Sequence, residues 1–299
     1  MFLKQQMMRR VLYALAPIYL FTLYLYGLPL ILLSLIVFPA GILTEYIVEK
    51  QRNKKVSEAV LVTCTLFTLS LPPRTPWWMA LIGIVFAVLF AKMAFGGFGR
   101  NPFNPAISGR LFIYISFPQK MTYGWTEPGN FGLQADAFTG ATPIEVLRGG
   151  DEINIIDHLL GLRTGSLGEG MIILIALGAA YLILTKTASY AIILSTIISF
   201  TVLTFILDAA GIPNALPTVG SLISGSIIFV AVFFATDPIS APKKEPSKWI
   251  YGCLVGCTTV LVRTFSLFPE GTSFGVLFGN TFAPLLDEIF TPKKKEGKK

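Results

Sequence analysis

The chain has 299 residues, of which 53% are hydrophobic and only 14% are charged, and its mean hydropathy is +0.66. About a quarter of the residues in a soluble domain are usually charged, so this composition excludes an ordinary large soluble globule. The formal net charge of +7 is spread over many short basic segments, and it predicts no nucleic-acid partner.

Apolar runs long enough to cross a bilayer follow one another along almost the whole chain. A transmembrane helix needs roughly 17 to 25 mostly apolar residues. The sequence therefore predicts an all-α polytopic membrane protein with about ten transmembrane helices. The predicted spans cover residues 11–27, 29–48, 57–72, 77–95, 105–118, 170–186, 188–208, 219–236, 249–267 and 273–290.

The basic residues beside these spans predict the orientation of the chain, because Lys and Arg that flank a span stay cytoplasmic. With the N-terminus inside, most of the 24 basic residues, Lys92 and Arg110 among them, fall on the cytoplasmic side. Both termini are then cytoplasmic, and the acidic connection at 119–169 faces the outside and folds back onto the membrane surface. The predicted units are a first membrane repeat (1–118), this outer loop (119–169) and a second membrane repeat (170–299).

Matching segments indicate that the second half of the chain repeats the first. Asn101–Pro105 resembles Asn280–Pro284, and the prolines and tryptophan at 72–77 have counterparts at 238–249. Because each half contributes an odd number of spans, the sequence predicts a five-plus-five inverted repeat of the kind found in transporters. Gly and Pro interrupt the helix at 96–105, either in a tight cytoplasmic turn or in non-helical backbone within the membrane.

Acidic side chains near the ends of the predicted spans are interpreted as lying at the membrane–water interface. Asp208 and Asp237 lie close to predicted span ends. Glu45 and Glu49 lie one helical turn apart, and we expect both to pair with the basic cluster at Lys50.

The few possible metal ligands predict no metal site. Cys253 and Cys257 share a helix face without a nearby histidine, and we expect them to pack as buried, small apolar side chains. The single histidine, His158, is expected to cap a helix or to pack.

The predicted outer loop contains the stretch Asp136–Ala137–Phe138–Thr139–Gly140–Ala141–Thr142–Pro143. Spacing alone predicts a turn, with Thr139 capping a short helix that Pro143 begins. The stretch also resembles the flavinylation signature Asp-x-x-Ser/Thr-Gly-Ala-Thr of a family of bacterial membrane subunits. Its members are RnfD, from the Rnf complex (a ferredoxin:NAD oxidoreductase), and NqrB, from the sodium-translocating NADH:quinone oxidoreductase. The resemblance implies FMN joined through a phosphoester to Thr142, with Asp136, Thr139, Gly140 and Ala141 as the other motif positions.

Three further stretches extend this resemblance over most of the chain. Arg10–Pro17 is similar to the family's opening, Gly96–Ala106 to its central turn, and Ala235–Pro238 to its second-half signature. The resemblance implies a fold like that of urea and ammonium channels and a place in a bacterial or archaeal cell membrane.

The function implied by the resemblance is electron relay through covalent FMN, within an oxidoreductase that moves Na⁺ or H⁺. It also implies other subunits as partners, one of them flavin-bearing, and a second, non-covalent flavin (riboflavin) at residues that the sequence does not identify. The short segment before the first span favours RnfD of the Rnf complex. The alternatives are NqrB of the quinone reductase and a solute channel of the same fold, and no catalytic residue is predicted.

Overall fold

A computed structural model of the chain describes residues 2–122, 124–129, 142–151, 153–266, 268 and 271–291. Within this part the chain is almost entirely helical, with one pair of two-residue parallel strands, β1 (Phe2–Leu3) and β2 (Val56–Ser57). The helices are α1 (Gln6–Tyr26), α2 (Leu28–Gln51), α3 (Ala59–Leu69), α4 (Trp77–Val88), α5 (Pro105–Ser116), α6 (Pro118–Thr122), α7 (Pro143–Arg148), α8 (Ile155–Leu160), α9 (Ile172–Leu184), α10 (Tyr190–Ala209), α11 (Thr218–Ile223), α12 (Ile227–Phe233), α13 (Glu245–Phe265) and α14 (Thr272–Ile289). A π-helical segment, Leu89–Met93, continues α4.

A helix, or in one case a pair of helices, lies in every segment that the sequence predicts to span a membrane. Among the described residues, α2 and α10 are long and apolar enough to cross a membrane. Shorter apolar helices are α3, α4 with its π-helical continuation, and α9. The all-α class is confirmed, whereas the number of crossings and the division at 118 and 169 stay predictions.

Two helical breaks lie inside the bundle, and buried arginines bind the backbone at both. The first follows α3, where the carbonyl oxygen of Ser70 accepts a hydrogen bond from Arg110 Nε at 2.8 Å. The second separates α11 from α12 at Gly225, whose φ is +74° and whose carbonyl accepts from Arg163 at 3.1 Å. Non-helical backbone in a membrane protein requires such internal partners. Arg110 is therefore a buried side chain of α5 and not the flanking cation that the charge pattern suggests.

The end of the connection between the two predicted repeats packs onto the helices. The amide groups of Leu167 and Gly168 donate hydrogen bonds to the carbonyl oxygens of Leu71 and Leu69, at 3.1 and 2.8 Å. Trp125, earlier in the same connection, is also buried. These residues of the connection pack against the helices, and both the expected fold-back onto the membrane surface and the side of the membrane stay predictions.

Helix α13 packs closely against α10 because it presents glycines at the contact. A Cβ atom added at Gly252 or Gly256 would overlap the hydroxyl oxygen of Ser195 or Ser199. Small residues four apart allow two helix backbones to approach in this way. Because this face of α13 is turned toward α10, Cys253 is exposed and Cys257 only partly buried. The expectation that both thiols are buried was therefore wrong.

Candidate cofactor site and buried polar clusters

Thr142 is the N-cap of the short helix α7. Its hydroxyl oxygen accepts a hydrogen bond from the Glu145 amide at 3.3 Å, and the Glu145 carboxylate accepts from the Thr142 amide at 2.8 Å. This reciprocal pair is a capping box. Pro143 begins the helix as predicted, but the cap is Thr142 and not Thr139. The other motif positions, Asp136, Thr139, Gly140 and Ala141, lie outside the described residues.

Helix α7 holds Thr142 against the second helical break. Ile144 and Leu147 are buried in a small apolar cluster with Leu216. A Cβ atom at Gly225 would lie 3.0 Å from Ile144 Cδ1, so glycine allows α7 to approach the break closely. Thr142 is itself only 8% exposed. The attachment residue named by the motif is therefore fixed to the bundle by the apolar face of the helix that follows it.

Three arginines surround this break. Arg163 donates hydrogen bonds to the carbonyl oxygens of Gly225 and Glu169, and Arg263 donates to the Ser221 carbonyl at 3.1 Å. The Arg263 guanidinium also lies 5.0 Å from the centre of the Phe200 ring. The third, Arg148 at the end of α7, donates to the carbonyl oxygen of Arg263. Arg163 and Arg263 are buried, whereas Arg148 is exposed, and buried guanidinium groups in a membrane protein are costly and usually mark a functional region.

A cavity of about 440 Å³ adjoins α7 on the side of Pro143 and Val146. Its other walls come from the segment before α7, from α8 and from the turn that follows α8, and they comprise Glu127, Pro128, Ile153, Asn154, Asp157, His158, Leu162, Arg163 and Thr164. His158 is buried, as expected, and its Nδ1 atom lies 2.8 Å from the Asn154 carbonyl oxygen. Burial and, to a lesser extent, Arg163 lower the pKa of His158. The volume is that of a small-molecule site.

Deeper in the bundle, Lys92 forms a buried ion pair that the sequence interpretation missed. Its Nζ atom lies 2.6 Å from a Glu45 carboxylate oxygen and 2.8 Å from the Ser57 hydroxyl oxygen. Ser57 in turn donates its amide and hydroxyl hydrogens to Glu45. We call these three residues the Lys92 cluster. The expected pairing of Glu45 with Lys50 was therefore wrong, and Lys92 is a buried side chain.

The two repeat motifs predicted from the sequence meet in a second polar cluster. The Asn104 amide donates to Asn280 Oδ1 at 3.1 Å, and Asn280 donates to the Tyr251 hydroxyl at 2.9 Å. Asp237 accepts a hydrogen bond from the Ser240 hydroxyl at 2.9 Å. Lys92 joins Asn104 and Asp237 in lining a cavity of about 50 Å³. Such a cavity has room for only a few water molecules.

Comparison with known proteins identifies the family. The profile described as the NQR2, RnfD, RnfE family matches residues 3–296. This chain belongs to that family.

Two of the relatives are subunits of the same kind of enzyme. The NqrB subunit of the Na(+)-translocating NADH-quinone reductase of Pseudomonas aeruginosa (strain LESB58) is 36% identical over 278 residues, which cover 88% of this chain and 66% of the relative. The corresponding subunit from Yersinia pestis is 34% identical over 272 residues, which cover 85% of this chain and 64% of the relative. The chain thus spans just under two thirds of the length of these relatives. Together with its helical structure, family membership makes it an integral membrane protein.

Two features of these sites could be predicted in part from the amino-acid sequence of this member of the NQR2, RnfD, RnfE family. Thr142-x-x-Glu145 with proline at the first helical position is a capping-box pattern, a signal for Thr142 that the choice of Thr139 as the cap overlooked. Lys92 is a lone cation in an apolar run, but its partner Glu45 is 47 residues away in the sequence. The predicted family is confirmed, and the named relatives favour its quinone-reductase branch over the predicted RnfD.

Proposed function

We propose that this chain is the membrane subunit of a redox-driven ion pump and carries FMN esterified to Thr142. The observation that carries the proposal is the complete Asp136–Thr142 signature in a chain of the NQR2, RnfD, RnfE family. The chain contributes a fixed cofactor to a larger oxidoreductase. When bound, the flavin supplies the electron-transfer chemistry, and the protein supplies its position and surroundings.

The residues around Thr142 are compatible with such an ester. The hydroxyl oxygen serves α7 as an acceptor of the Glu145 amide hydrogen, and an ester oxygen can keep that role. Arg148, Arg163 and Arg263 place positive charge around the adjoining break, which favours an anionic phosphate nearby. The cavity beside Pro143 offers space next to the attachment residue.

The named relatives support the quinone-reductase assignment. They are NqrB subunits of a Na(+)-translocating NADH-quinone reductase. We therefore propose that this chain works with the other subunits of such an assembly, including a second flavin-bearing subunit. Na⁺ is the ion that the relatives' name favours. The Rnf complex is the second assignment, because its RnfD subunit belongs to the same family.

We further propose ten crossings arranged as two inverted repeats, in a bacterial or archaeal cell membrane. In each half a short helix, α3 or α12, is followed by a non-helical return and then by a long apolar helix system, α4 or α13. Discontinuous helices of this kind occur in corresponding positions of inverted-repeat transporters. The distribution of basic residues along the sequence supports an orientation with both termini in the cytoplasm and Thr142 on the outer face.

The second, non-covalent flavin stays a prediction without a located site. The cavity that Asn104, Asp237 and Lys92 help to line holds only about 50 Å³. An isoalloxazine ring does not fit such a space unless the lining side chains move. Riboflavin at this place would therefore require a rearrangement of the two repeat motifs.

In-gel flavin fluorescence of Thr142 variants tests the attachment. Thr142→Ala removes both the ester-forming oxygen and the cap, and we expect it to abolish fluorescence of the denatured band. Thr142→Asn is the matched control, since Asn is a good N-cap that cannot form a phosphoester. We expect Thr142→Asn to be as stable as wild-type protein without FMN and to lack fluorescence, as Thr142→Ala does. Fluorescence that survives both changes would refute attachment at Thr142.

A further inference from the structure

A group of exposed aromatic and basic side chains lies where α4 begins. Trp77 and Trp78 are the first two residues of this apolar helix, and they are 63% and 36% exposed. Arg74 precedes them in the turn after the first helical break, and Lys120 lies on α6; both are exposed. Exposed tryptophans at the end of an apolar helix are typical of the membrane–water interface.

Backbone and ring contacts hold these residues together. The Arg74 amide donates a hydrogen bond at 3.1 Å to the carbonyl oxygen of Gly124, which follows α6. A Cβ atom added at Gly124 would lie 2.8 Å from the Lys120 carbonyl oxygen, so the end of α6 packs closely against the segment that binds Arg74. The Trp78 and Phe117 rings meet edge to face, with their centres 5.1 Å apart. We call Arg74, Trp77, Trp78, Phe117 and Lys120 the α4–α6 patch.

The two cations of the α4–α6 patch are not neutralised by the protein. Within the described part of the chain, neither Arg74 nor Lys120 forms an ion pair. Arg148 and Arg163, which are predicted on the same side of the membrane, instead donate to backbone carbonyl oxygens. Lys and Arg that flank a span usually stay cytoplasmic. Two exposed and unpaired cations side by side on the predicted outer face therefore indicate an anionic ligand.

The surface that continues from the patch along the helices is apolar. Ile82 on α4 is 42% exposed and Ile115 on α5 is 54% exposed. No charged residue lies between Trp77 and Val88, so this surface is suited to hydrocarbon. An acidic protein would match the two cations but not the apolar surface beside them. A phospholipid matches both, because it combines a phosphate group with acyl chains.

We propose that the α4–α6 patch binds the headgroup of an anionic phospholipid. The phosphate group lies at Arg74 and Lys120, and the glycerol region lies against Trp77 and Trp78. Guanidinium and ammonium groups form strong, charge-assisted hydrogen bonds with phosphate, and basic residues at a membrane surface attract anionic lipids. The bound lipid anchors the turn after the first helical break at the membrane surface. This inference does not depend on the flavin.

Quenching of tryptophan fluorescence by brominated lipid tests the site, because two of the four tryptophans belong to it. Trp249→Phe removes the exposed tryptophan of α13, and Trp125 is buried. The full-length Trp249→Phe protein is placed in nanodiscs of phosphatidylcholine. A small fraction of the lipid is then replaced by dibrominated phosphatidylglycerol, which is anionic, or by the same fraction of dibrominated phosphatidylcholine, which has no net charge.

We expect the brominated phosphatidylglycerol to quench several-fold more strongly than the brominated phosphatidylcholine. Adding Arg74→Gln and Lys120→Gln should abolish this preference. Lys54→Gln with Lys55→Gln is the matched control, since it removes the same charge from two exposed residues elsewhere, and it should keep the preference. High salt should weaken the preference, because salt screens exposed charges.

Equal quenching by the two lipids in the Trp249→Phe protein would overturn the lipid site, and this comparison needs no further variant. A preference that survives Arg74→Gln with Lys120→Gln would overturn it as well, because the anionic lipid would then bind elsewhere. If the Trp249→Phe protein shows no preference and Arg74→Gln with Lys120→Gln releases another subunit from the purified assembly, the patch binds an acidic protein instead.

Discussion

The Thr142 site and the Lys92 cluster are both built around charged side chains, but they differ in how completely those charges are used. In the Lys92 cluster the ammonium group, the carboxylate and the Ser57 hydroxyl bind one another, and all three residues are buried. At the Thr142 site a cavity of about 440 Å³ remains, with an unpaired imidazole nitrogen in the described structure. Because its charged and polar groups bind one another, the Lys92 cluster fixes the helices around it. The cavity at the Thr142 site instead leaves room for another molecule.

The largest expected effect comes from breaking the Lys92 cluster. Glu45→Gln leaves the Lys92 ammonium buried without a countercharge, which should destabilise the fold by about 3–5 kcal/mol. Adding Lys92→Met to Glu45→Gln removes the stranded charge and should restore most of that stability. Thermal unfolding in detergent, followed by size-exclusion chromatography, measures both. A Glu45→Gln variant as stable as the wild type would show that water reaches the Lys92 ammonium group and that the cluster is not buried.

A smaller effect is expected at α13, the helix whose last turn carries Arg263 beside the Thr142 site. Gly256→Leu would force a side chain against Ser199 and the Thr196 carbonyl oxygen. Such overpacking costs about 1–3 kcal/mol. It should also lower flavin loading if the position of Arg263 matters to the site.

Cys253→Leu is the control for this change, because Cys253 lies exposed on the same helix. It should unfold at the wild-type temperature and load flavin normally. Equal stability losses in both variants would contradict the close contact between α10 and α13.

The smallest expected effect is a pH dependence confined to the Thr142 site. Because the folded-state pKa of His158 is lowered, the unfolded segment binds more protons than the folded one below about pH 6.5. The stability of this segment should therefore fall as the pH decreases from about 7.5 to about 5.5. Hydrogen exchange of residues 153–164 measures it, and His158→Gln should remove the histidine contribution. A loss of protection in the wild type that His158→Gln leaves unchanged would assign the effect to Glu127 or Asp157 instead.

The contrast between the two regions also shows which features were predictable from the sequence. Helices appear where apolar runs have membrane-spanning length, because the bilayer imposes one scale on every helix. The break at Gly225 was not predicted, because 219–236 was read as one span, although a glycine between two serines readily leaves a helix. Thr142 could be predicted as the attachment residue because a short motif contains it together with its neighbours.

Pairings between distant residues could not be predicted in the same way. Glu45 and Lys92 belong to different helices, and Glu45 has Lys50 nearer in the sequence, so local spacing favoured the wrong partner. His158 and Pro143 line one cavity only because α7 and α8 both pack against α11. Arg110 lies within a short helix next to a Gly- and Pro-rich turn, which made it look like a flanking cation. These features depend on tertiary packing.

The central claim is tested most directly by mapping the modified peptide. Trypsin cuts after Lys120 and Arg148, so a single peptide, Met121–Arg148, contains both Thr139 and Thr142. Tandem mass spectrometry of wild-type protein purified from membranes should find this peptide heavier by one FMN less one water, with the added mass on Thr142. An unmodified peptide, or one modified at Thr139 alone, would contradict the assignment.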